Sequence, residues 1–198
     1  MPRPLAVAIT GGIGAGKSEA LKAFARQGAA TVSSDEIVHR LYTEDDEVRR
    51  AVLERLGPEV LDAEGRLDRA AIAPRVFGDA EQLAWLEGLL HPRVAAAQEA
   101  WRAGLAGSDD PPALAVVEIP LLYETGAEER FDAVVVVTAP AEVRAQRTKV
   151  LGDGRETRLI PDEEKIRRAD FAYVNDAGLD GLDAFVGEVV AALEPRAG

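Results

Sequence analysis

The chain has 198 residues, of which 47% are hydrophobic and 29% charged, and these values fit one globular domain rather than a disordered or fibrous protein. Its 23 basic and 35 acidic residues give a net charge of −12, which disfavours binding to nucleic acid or to an anionic membrane surface. Cysteine is absent and there are only two histidines, so disulfides, cysteine-ligated metals and a three-histidine metal site are excluded.

The first part of the chain predicts a βαβ unit. Residues 5–10 are a nearly all-apolar run, which predicts a buried parallel strand. Residues 18–27 carry apolar side chains at helical spacing and end at Gly28, and residues 29–33 predict a second strand. Strand, glycine loop, helix and strand in this order favour a right-handed crossover.

The middle of the chain predicts helices without a clear strand, which indicates a helical insertion at about residues 45–112. The helices of this insertion are expected to break at Gly57-Pro58, Gly78-Asp79 and His91-Pro92. Strands are predicted again at residues 113–119, 133–138 and 171–174, with helices from about 141 toward 151, at 162–169 and at 179–193. Five strands that alternate with helices predict an α/β protein with three layers around a mainly parallel sheet.

Residues 11–18, Gly-Gly-Ile-Gly-Ala-Gly-Lys-Ser, match the phosphate-loop pattern G-x-x-x-x-G-K-[ST] in full, between a predicted strand and a predicted helix. Glycines let successive backbone N–H groups face phosphate oxygens, and the helix N-terminus adds a favourable dipole. Lys17 is expected to bridge the β- and γ-phosphates and Ser18 to coordinate Mg²⁺. Because the chain lacks a guanine motif and an ABC-type signature, a small-molecule kinase or a small ATPase module remains.

Other short segments form a more selective pattern together with this loop. They are Ser34-Asp35-Glu36-Ile37-Val38-His39, Leu89-Leu90-His91-Pro92, Ile119-Pro120-Leu121-Leu122-Tyr123-Glu124, Asp132, Ala169-Asp170-Phe171 and Asn175. In this order and spacing they resemble the dephospho-coenzyme A kinase family along nearly the whole chain. The resemblance implies transfer of the ATP γ-phosphate to the 3′-hydroxyl of dephospho-CoA, giving CoA and ADP, in the last step of coenzyme A biosynthesis.

The resemblance also implies an architecture. It is a three-layer P-loop kinase fold in one domain, residues 1–198, whose core comprises residues 1–44 and 113–198. The insertion at about 45–112 would bind the acceptor, and a short lid would lie at about 148–165. ATP and dephospho-CoA are the implied partners and Mg²⁺ the implied cofactor. A nucleoside or nucleotide kinase and a non-catalytic ATP-binding switch module remain as alternatives.

Asp35 is the candidate catalytic carboxylate. It follows the second strand, at the carboxyl edge of the sheet, where it could accept or orient the proton of the attacking hydroxyl and contact the substrate. The alternative is an N-cap of the next helix, and the resemblance favours the catalytic role. The family usually has Asp-x-Asp here, and Ser33 replaces the first acid.

Several further residues have a functional and a structural interpretation. Glu118 ends a predicted strand, where it could assist Mg²⁺ through water or simply pair with a neighbouring group. Leu121, Leu122 and Tyr123 could line the acceptor pocket or belong to the core. His91 could contact the substrate, or end a helix with its ring bonded to a backbone carbonyl. For the three residues from 121 to 123 the resemblance favours substrate contact.

Arginines surround the expected lid, where mobile cations could neutralise the transferring phosphoryl group. Arg147 is the catalytic candidate, and Arg155 and Arg158 are lid candidates; a solvated charged helix is the alternative. The resemblance implies that the ATP-binding residues are Gly11, Gly12, Ile13, Gly14, Ala15, Gly16, Lys17, Ser18, Glu19 and Asn175. Asn175 would contact adenine through its loop, whereas a turn-forming Asn is the structural interpretation.

No apolar run reaches the ~20 residues that a membrane helix needs, and residues 1–5 do not lead into a signal-peptide pattern. We therefore expect a soluble, cytoplasmic protein without a nucleic-acid or membrane partner. A monomer or a weak homo-oligomer is expected.

Overall fold

The computed structural model describes residues 3–147, 159–176 and 178–196. Its strands and α-helices are, in chain order, β1 (Leu5–Thr10), α1 (Lys17–Arg26), β2 (Ala30–Ser33), α2 (Ser34–Glu44), α3 (Asp46–Leu56), α4 (Arg69–Val76), α5 (Ala80–Ala106), β3 (Leu114–Glu118), β4 (Ala133–Thr138), α6 (Ala141–Arg147), α7 (Asp162–Arg168), β5 (Phe171–Val174) and α8 (Leu179–Leu193). Among these residues, 3₁₀ turns lie at Pro58–Val60, Glu128–Arg130 and Glu194–Arg196. No helix within these described ranges, including the long α5, has an apolar stretch of the length needed to span a membrane.

The strands form one sheet in the order β2-β3-β1-β4-β5, and all neighbouring pairs are parallel. The predicted five-stranded α/β fold is confirmed. Because β3 and β4 lie on opposite sides of β1, the loop after β1 is at the point where the strand order reverses. Open parallel sheets bind ligands at the carboxyl ends of their strands at such a point.

Alternating side chains give the sheet two buried faces. Val7 and Ile9 of β1 pack on one face with Phe24 of α1 and with residues of α8. Ala8 points to the other face, where it packs with Leu122 from the segment after β3. A strand buried on both faces favours apolar side chains at successive positions, which explains the apolar runs of β1 and β4 before their last residues, the buried Thr10 and Thr138.

The chain folds as two compact units, one of residues 35–100 and one of residues 1–34 with 101–198. The first unit is helical and has a hydrophobic core of its own. The buried members of that core are Tyr42, Val48, Val52, Leu56, Val60, Leu67, Ile72, Val76, Leu86 and Leu90. Because α2 contributes Tyr42 to it, the compact helical unit includes most of α2 and begins before residue 45.

The helix break predicted at His91-Pro92 is wrong. α5 has 27 residues and continues through both positions, with His91 exposed in its middle. A proline inside a helix removes one donor and crowds an earlier carbonyl, at a cost of about 3 kcal/mol. Burial of Leu90 in the helical core then favours a continuous helix.

Candidate active site

The loop between β1 and α1 has a conformation that only glycine accommodates at two positions. Gly11 and Gly16 have φ angles of 146° and 104°, in the left-handed region. A Cβ atom on Gly11 would lie 1.8 Å from the Val137 carbonyl oxygen, and one on Gly16 would lie 2.3 Å from the Asn175 amide nitrogen. The loop therefore packs directly against β4 and against the segment after β5.

Lys17 lies where this loop becomes a helix. It is the first residue of α1, and Gly16 is the N-cap. The first N–H groups of a helix lack intrahelical acceptors and carry the positive end of its dipole. The Lys17 Nζ donates to the Gly12 carbonyl at 2.9 Å, so the ammonium group lies across the loop. The loop, the helix N-terminus and the ammonium together form a surface suited to phosphate oxygens.

Ser18 and Glu118 lie together, although they come from distant parts of the chain. The Ser18 hydroxyl donates to the Glu118 carboxylate at 3.3 and 3.4 Å. Glu118 ends β3, opposite Ile9 of β1 and Ser33 of β2 in the sheet register, and is only 6% exposed. A hydroxyl and a carboxylate are the oxygen ligands that Mg²⁺ prefers. The site therefore has suitable donors for a nucleotide-bound Mg²⁺.

Asp35 lies in the first turn of α2, directly after β2. Because α2 begins at Ser34, Asp35 is inside the helix rather than at its N-cap. Its carboxylate is 63% exposed and accepts a hydrogen bond from the Arg69 guanidinium at 3.2 Å. Both residues belong to the helical unit. Sequence analysis did not identify Arg69, because nothing in the spacing of residues 35 and 69 indicates that α2 and α4 bring them together.

Two arginines of α6, Arg144 and Arg147, lie at the phosphate loop. A Cβ atom on Gly12 would lie 2.6 Å from the Arg144 Nη1, and one on Gly16 would lie 3.8 Å from the Arg147 Nη1. Arg144 also pairs with Asp162 of α7 at 3.6 Å. Sequence analysis predicts Arg147 as the catalytic arginine and does not name Arg144. Their three-residue spacing, which places both on one helix face, was the available signal.

Asn175 is buried against the same loop. Its Nδ2 donates to the Ala15 carbonyl at 2.9 Å, and its side chain is 3% exposed. Its backbone N–H donates to the Thr138 carbonyl at 2.7 Å, which holds the start of the segment after β5 against the end of β4. The predicted ATP-binding residue thus contacts the phosphate loop itself.

The segment after β3 contributes mainly to the core. Leu122 is fully buried, Tyr123 is 5% exposed, and Leu121 is half-buried. The Arg168 guanidinium lies over the Tyr123 ring, 4.3 Å from its centroid. Burial raises the pKa of the Tyr123 phenol to about 12, and Arg168 opposes that rise. The phenolic oxygen has no hydrogen-bond partner within the described ranges.

The remaining predicted residues lie apart from these contacts or beyond the described ranges. Glu19 pairs with Lys22 at 2.7 Å on the surface of α1. His91 is exposed on α5, in the helical unit. Arg155 and Arg158, with most of the expected lid at residues 148–165, lie outside the described residues.

Comparison with known proteins agrees with this geometry. A model of the dephospho-CoA kinase family matches residues 5–181. The dephospho-CoA kinase of Mesorhizobium japonicum is 40% identical over 201 residues, which cover 98% of this chain and 99% of that protein. Among solved structures, TT1252 from Thermus thermophilus is 34% identical with a TM-score of 0.75, and dephospho-CoA kinase from Campylobacter jejuni is 25% identical with a TM-score of 0.70. Each covers 96% of this chain and 98% of its own. The chain therefore belongs to the dephospho-CoA kinase family.

Proposed function

We propose that this chain transfers the γ-phosphate of ATP to the 3′-hydroxyl of dephospho-CoA, giving CoA and ADP, the last step of coenzyme A biosynthesis. The observation that carries the proposal is a complete phosphate loop, with Lys17 across it and Ser18 beside the buried Glu118 carboxylate, in a chain of this family. The phosphate loop is the proposed nucleotide site, and membership of the family indicates dephospho-CoA as the acceptor.

In the proposed reaction the phosphate loop holds ATP and stabilises charge. Backbone N–H groups of residues 11–16 bind the phosphate oxygens, and the Lys17 ammonium bridges the β- and γ-phosphates. Arg144 and Arg147 add positive charge from α6, beside the same loop. Phosphoryl transfer passes through a loose transition state, so positioning and electrostatic stabilisation account for most of the catalysis.

Ser18 and Glu118 are the residues that would hold Mg²⁺. With one hydroxyl and one carboxylate from the protein, Mg²⁺ would keep positions for phosphate oxygens and water. That is the usual arrangement for Mg²⁺ in kinases. When bound with ATP, Mg²⁺ would neutralise negative charge on the phosphate oxygens.

Asp35 is the proposed partner of the attacking hydroxyl. Its exposed carboxylate orients the ribose 3′-hydroxyl and accepts its proton as the bond to phosphorus forms. Residues of about 45–112 would carry acceptor recognition, with His91 as one contact, together with Leu121 to Tyr123. These assignments extend the family resemblance residue by residue.

The proposal is tested by measuring ADP release, coupled to NADH oxidation, with dephospho-CoA, adenosine, AMP, shikimate or pantothenate as the acceptor. We expect turnover with dephospho-CoA and a product that carries one new phosphate at the ribose 3′-oxygen. Lys17→Ala is the control for contaminating kinases, because it should bind acceptor normally and lose phosphoryl transfer.

Other outcomes of this assay would indicate a different function or contradict the site assignment. Turnover with adenosine or AMP in preference to dephospho-CoA would indicate a nucleoside or nucleotide kinase. ATP binding without turnover on any acceptor would indicate a non-catalytic ATP-binding module. Activity of Lys17→Ala equal to that of the wild type would contradict the assignment of the phosphate loop.

A further inference from the structure

Asn175 links the end of the sheet to the phosphate loop through one buried hydrogen bond. Its amide nitrogen donates to the Ala15 carbonyl at 2.9 Å, and the residue is 3% exposed. A carbonyl oxygen only accepts, so the amide must present its nitrogen to Ala15. The other amide atom, Oδ1, is buried without a hydrogen-bond partner among the residues that the structure describes.

The Ala15 carbonyl shares one peptide unit with the Gly16 N–H. The unit is planar and trans, so these two groups point in opposite directions. A hydrogen bond that orients the carbonyl toward Asn175 therefore orients the Gly16 N–H away from it. That N–H belongs to the donors at the N-terminus of α1, which lack intrahelical acceptors and are suited to a phosphate.

Gly16 lets the Ala15–Gly16 peptide unit rotate more freely than another residue would, so a contact from elsewhere in the chain must hold its orientation. Gly16 has a φ of 104°, and a glycine at this angle has no side chain to restrict its rotation. The Asn175 amide lies directly over it, since a Cβ atom on Gly16 would be 2.3 Å from the Asn175 Nδ2. The Asn175 side chain thus orients the Ala15 carbonyl and also occupies the space beside the Gly16 Cα atom.

We infer that Asn175 is a positioning residue for the nucleotide phosphates, which acts through the Ala15–Gly16 peptide rather than by contact with the base. The inference rests on the ATP site of the proposed function. It differs from the role that the sequence predicts for Asn175, which is contact with adenine through its loop.

Two variants separate these roles. Asn175→Ala removes both amide atoms, whereas Asn175→Asp keeps an acceptor at the position of Oδ1 and removes the donor. We would measure the Kd of Mg-ATP, Mg-GTP and Mg-tripolyphosphate by calorimetry, with thermal melting of each protein as a check of folding. Asp176→Ala is the matched control, because Asp176 is the exposed neighbour of Asn175.

We expect Asn175→Ala to weaken binding of all three probes by roughly tenfold, the value of one buried hydrogen bond, and to leave the ratio of ATP to GTP affinity unchanged. Asn175→Asp should weaken binding at least as much, because it adds a negative charge beside the phosphate loop. If Asn175→Asp is folded and Asn175→Ala is not, the tripolyphosphate affinity and the ATP-to-GTP affinity ratio of Asn175→Asp distinguish phosphate positioning from base contact. Asp176→Ala should bind like the wild type.

A changed ATP-to-GTP ratio with unchanged tripolyphosphate affinity would overturn the inference in favour of base contact. Unchanged affinity of both Asn175 variants for all probes would overturn it as well. The measurements contain no acceptor. A wild-type protein that binds Mg-ATP but does not phosphorylate dephospho-CoA would therefore refute the proposed function and leave this comparison intact.

Discussion

The Lys165 ammonium lies 2.8 Å from the Glu124 Oε1, and the Lys165 side chain has no exposed surface. The same oxygen accepts a hydrogen bond from the Ile160 N–H at 2.9 Å, while the Oε2 has no hydrogen-bond partner in the described part of the chain. The pair ties α7 to the segment after β3. Two ions removed from water are costly to bury, and their attraction offsets that cost only while both are present.

We therefore expect Lys165→Met to lower the free energy of unfolding by about 3–5 kcal/mol, because it leaves the Glu124 carboxylate buried without a counter-ion. Lys165→Met combined with Glu124→Gln should recover much of that loss. Urea denaturation of the three proteins measures the effect. The matched control is Lys22→Met, since Lys22 pairs with Glu19 at 2.7 Å but is 64% exposed, and its loss should cost no more than about 1 kcal/mol.

Equal stability of Lys165→Met and Lys22→Met would contradict a buried charge at residue 165. So would a double variant that is less stable than Lys165→Met, because the penalty would then not come from the unpaired carboxylate.

Asp35→Asn tests the proposed partner of the attacking hydroxyl. The amide keeps the size of the side chain but loses the charge and the capacity to accept the proton. We expect kcat to fall by roughly 10²–10⁴, with ATP affinity within a few-fold of the wild type. Steady-state kinetics with dephospho-CoA and calorimetry with ATP measure the two effects. Asp46→Asn, at an exposed first-turn position of α3 in the same unit, should have normal turnover.

A normal kcat for Asp35→Asn would remove this residue from catalysis and make Glu118 the next candidate. A fall in kcat that Arg69→Met reproduces would indicate that the ion pair at 3.2 Å, rather than Asp35 alone, is needed for turnover.

Glu118→Gln tests the proposed Mg²⁺ site. Loss of the carboxylate charge should raise the Mg²⁺ concentration that gives half-maximal activity, by roughly 10-fold or more for a ligating or water-mediated carboxylate. Binding of ATP without Mg²⁺ should change much less. Titration of activity with Mg²⁺ at a fixed ATP concentration provides the measurement. Glu188→Gln, on the exposed face of α8, is the control, and equal Mg²⁺ dependence in both variants would exclude the proposed role.

Tyr123→Phe should change the pH dependence of stability. Burial raises the pKa of the folded phenol from 10.0 to about 12, whereas the unfolded phenol titrates near 10. Between these values the unfolded chain releases its proton and the folded chain keeps it, so stability is full below pH 10 and falls up to pH 12. Tyr123→Phe should lose about 2–3 kcal/mol less over this range. Denaturation at pH 9 to 12 measures this difference, and parallel curves for the two proteins would contradict it.

Local sequence signals were sufficient for the sheet and for the phosphate loop. The apolar runs of β1 and β4 predict strands buried on both faces, because any polar side chain there would be desolvated. The glycines before Lys17 predict the loop, because positive φ angles and close backbone packing admit no side chain at Gly11 and Gly16. The resemblance of short segments was sufficient for the family.

Contacts between distant residues could not be predicted in this way. Ser18 and Glu118 are 100 positions apart, and Ala15 and Asn175 are 160 apart. The strand order places each pair at one edge of the sheet, and no local pattern encodes a side-chain distance across that edge. Pro92 illustrates the same limit inside one helix. Its local preference predicts a break, but the buried apolar face of α5 outweighs it, since packing energy depends on neighbours that a single segment does not contain.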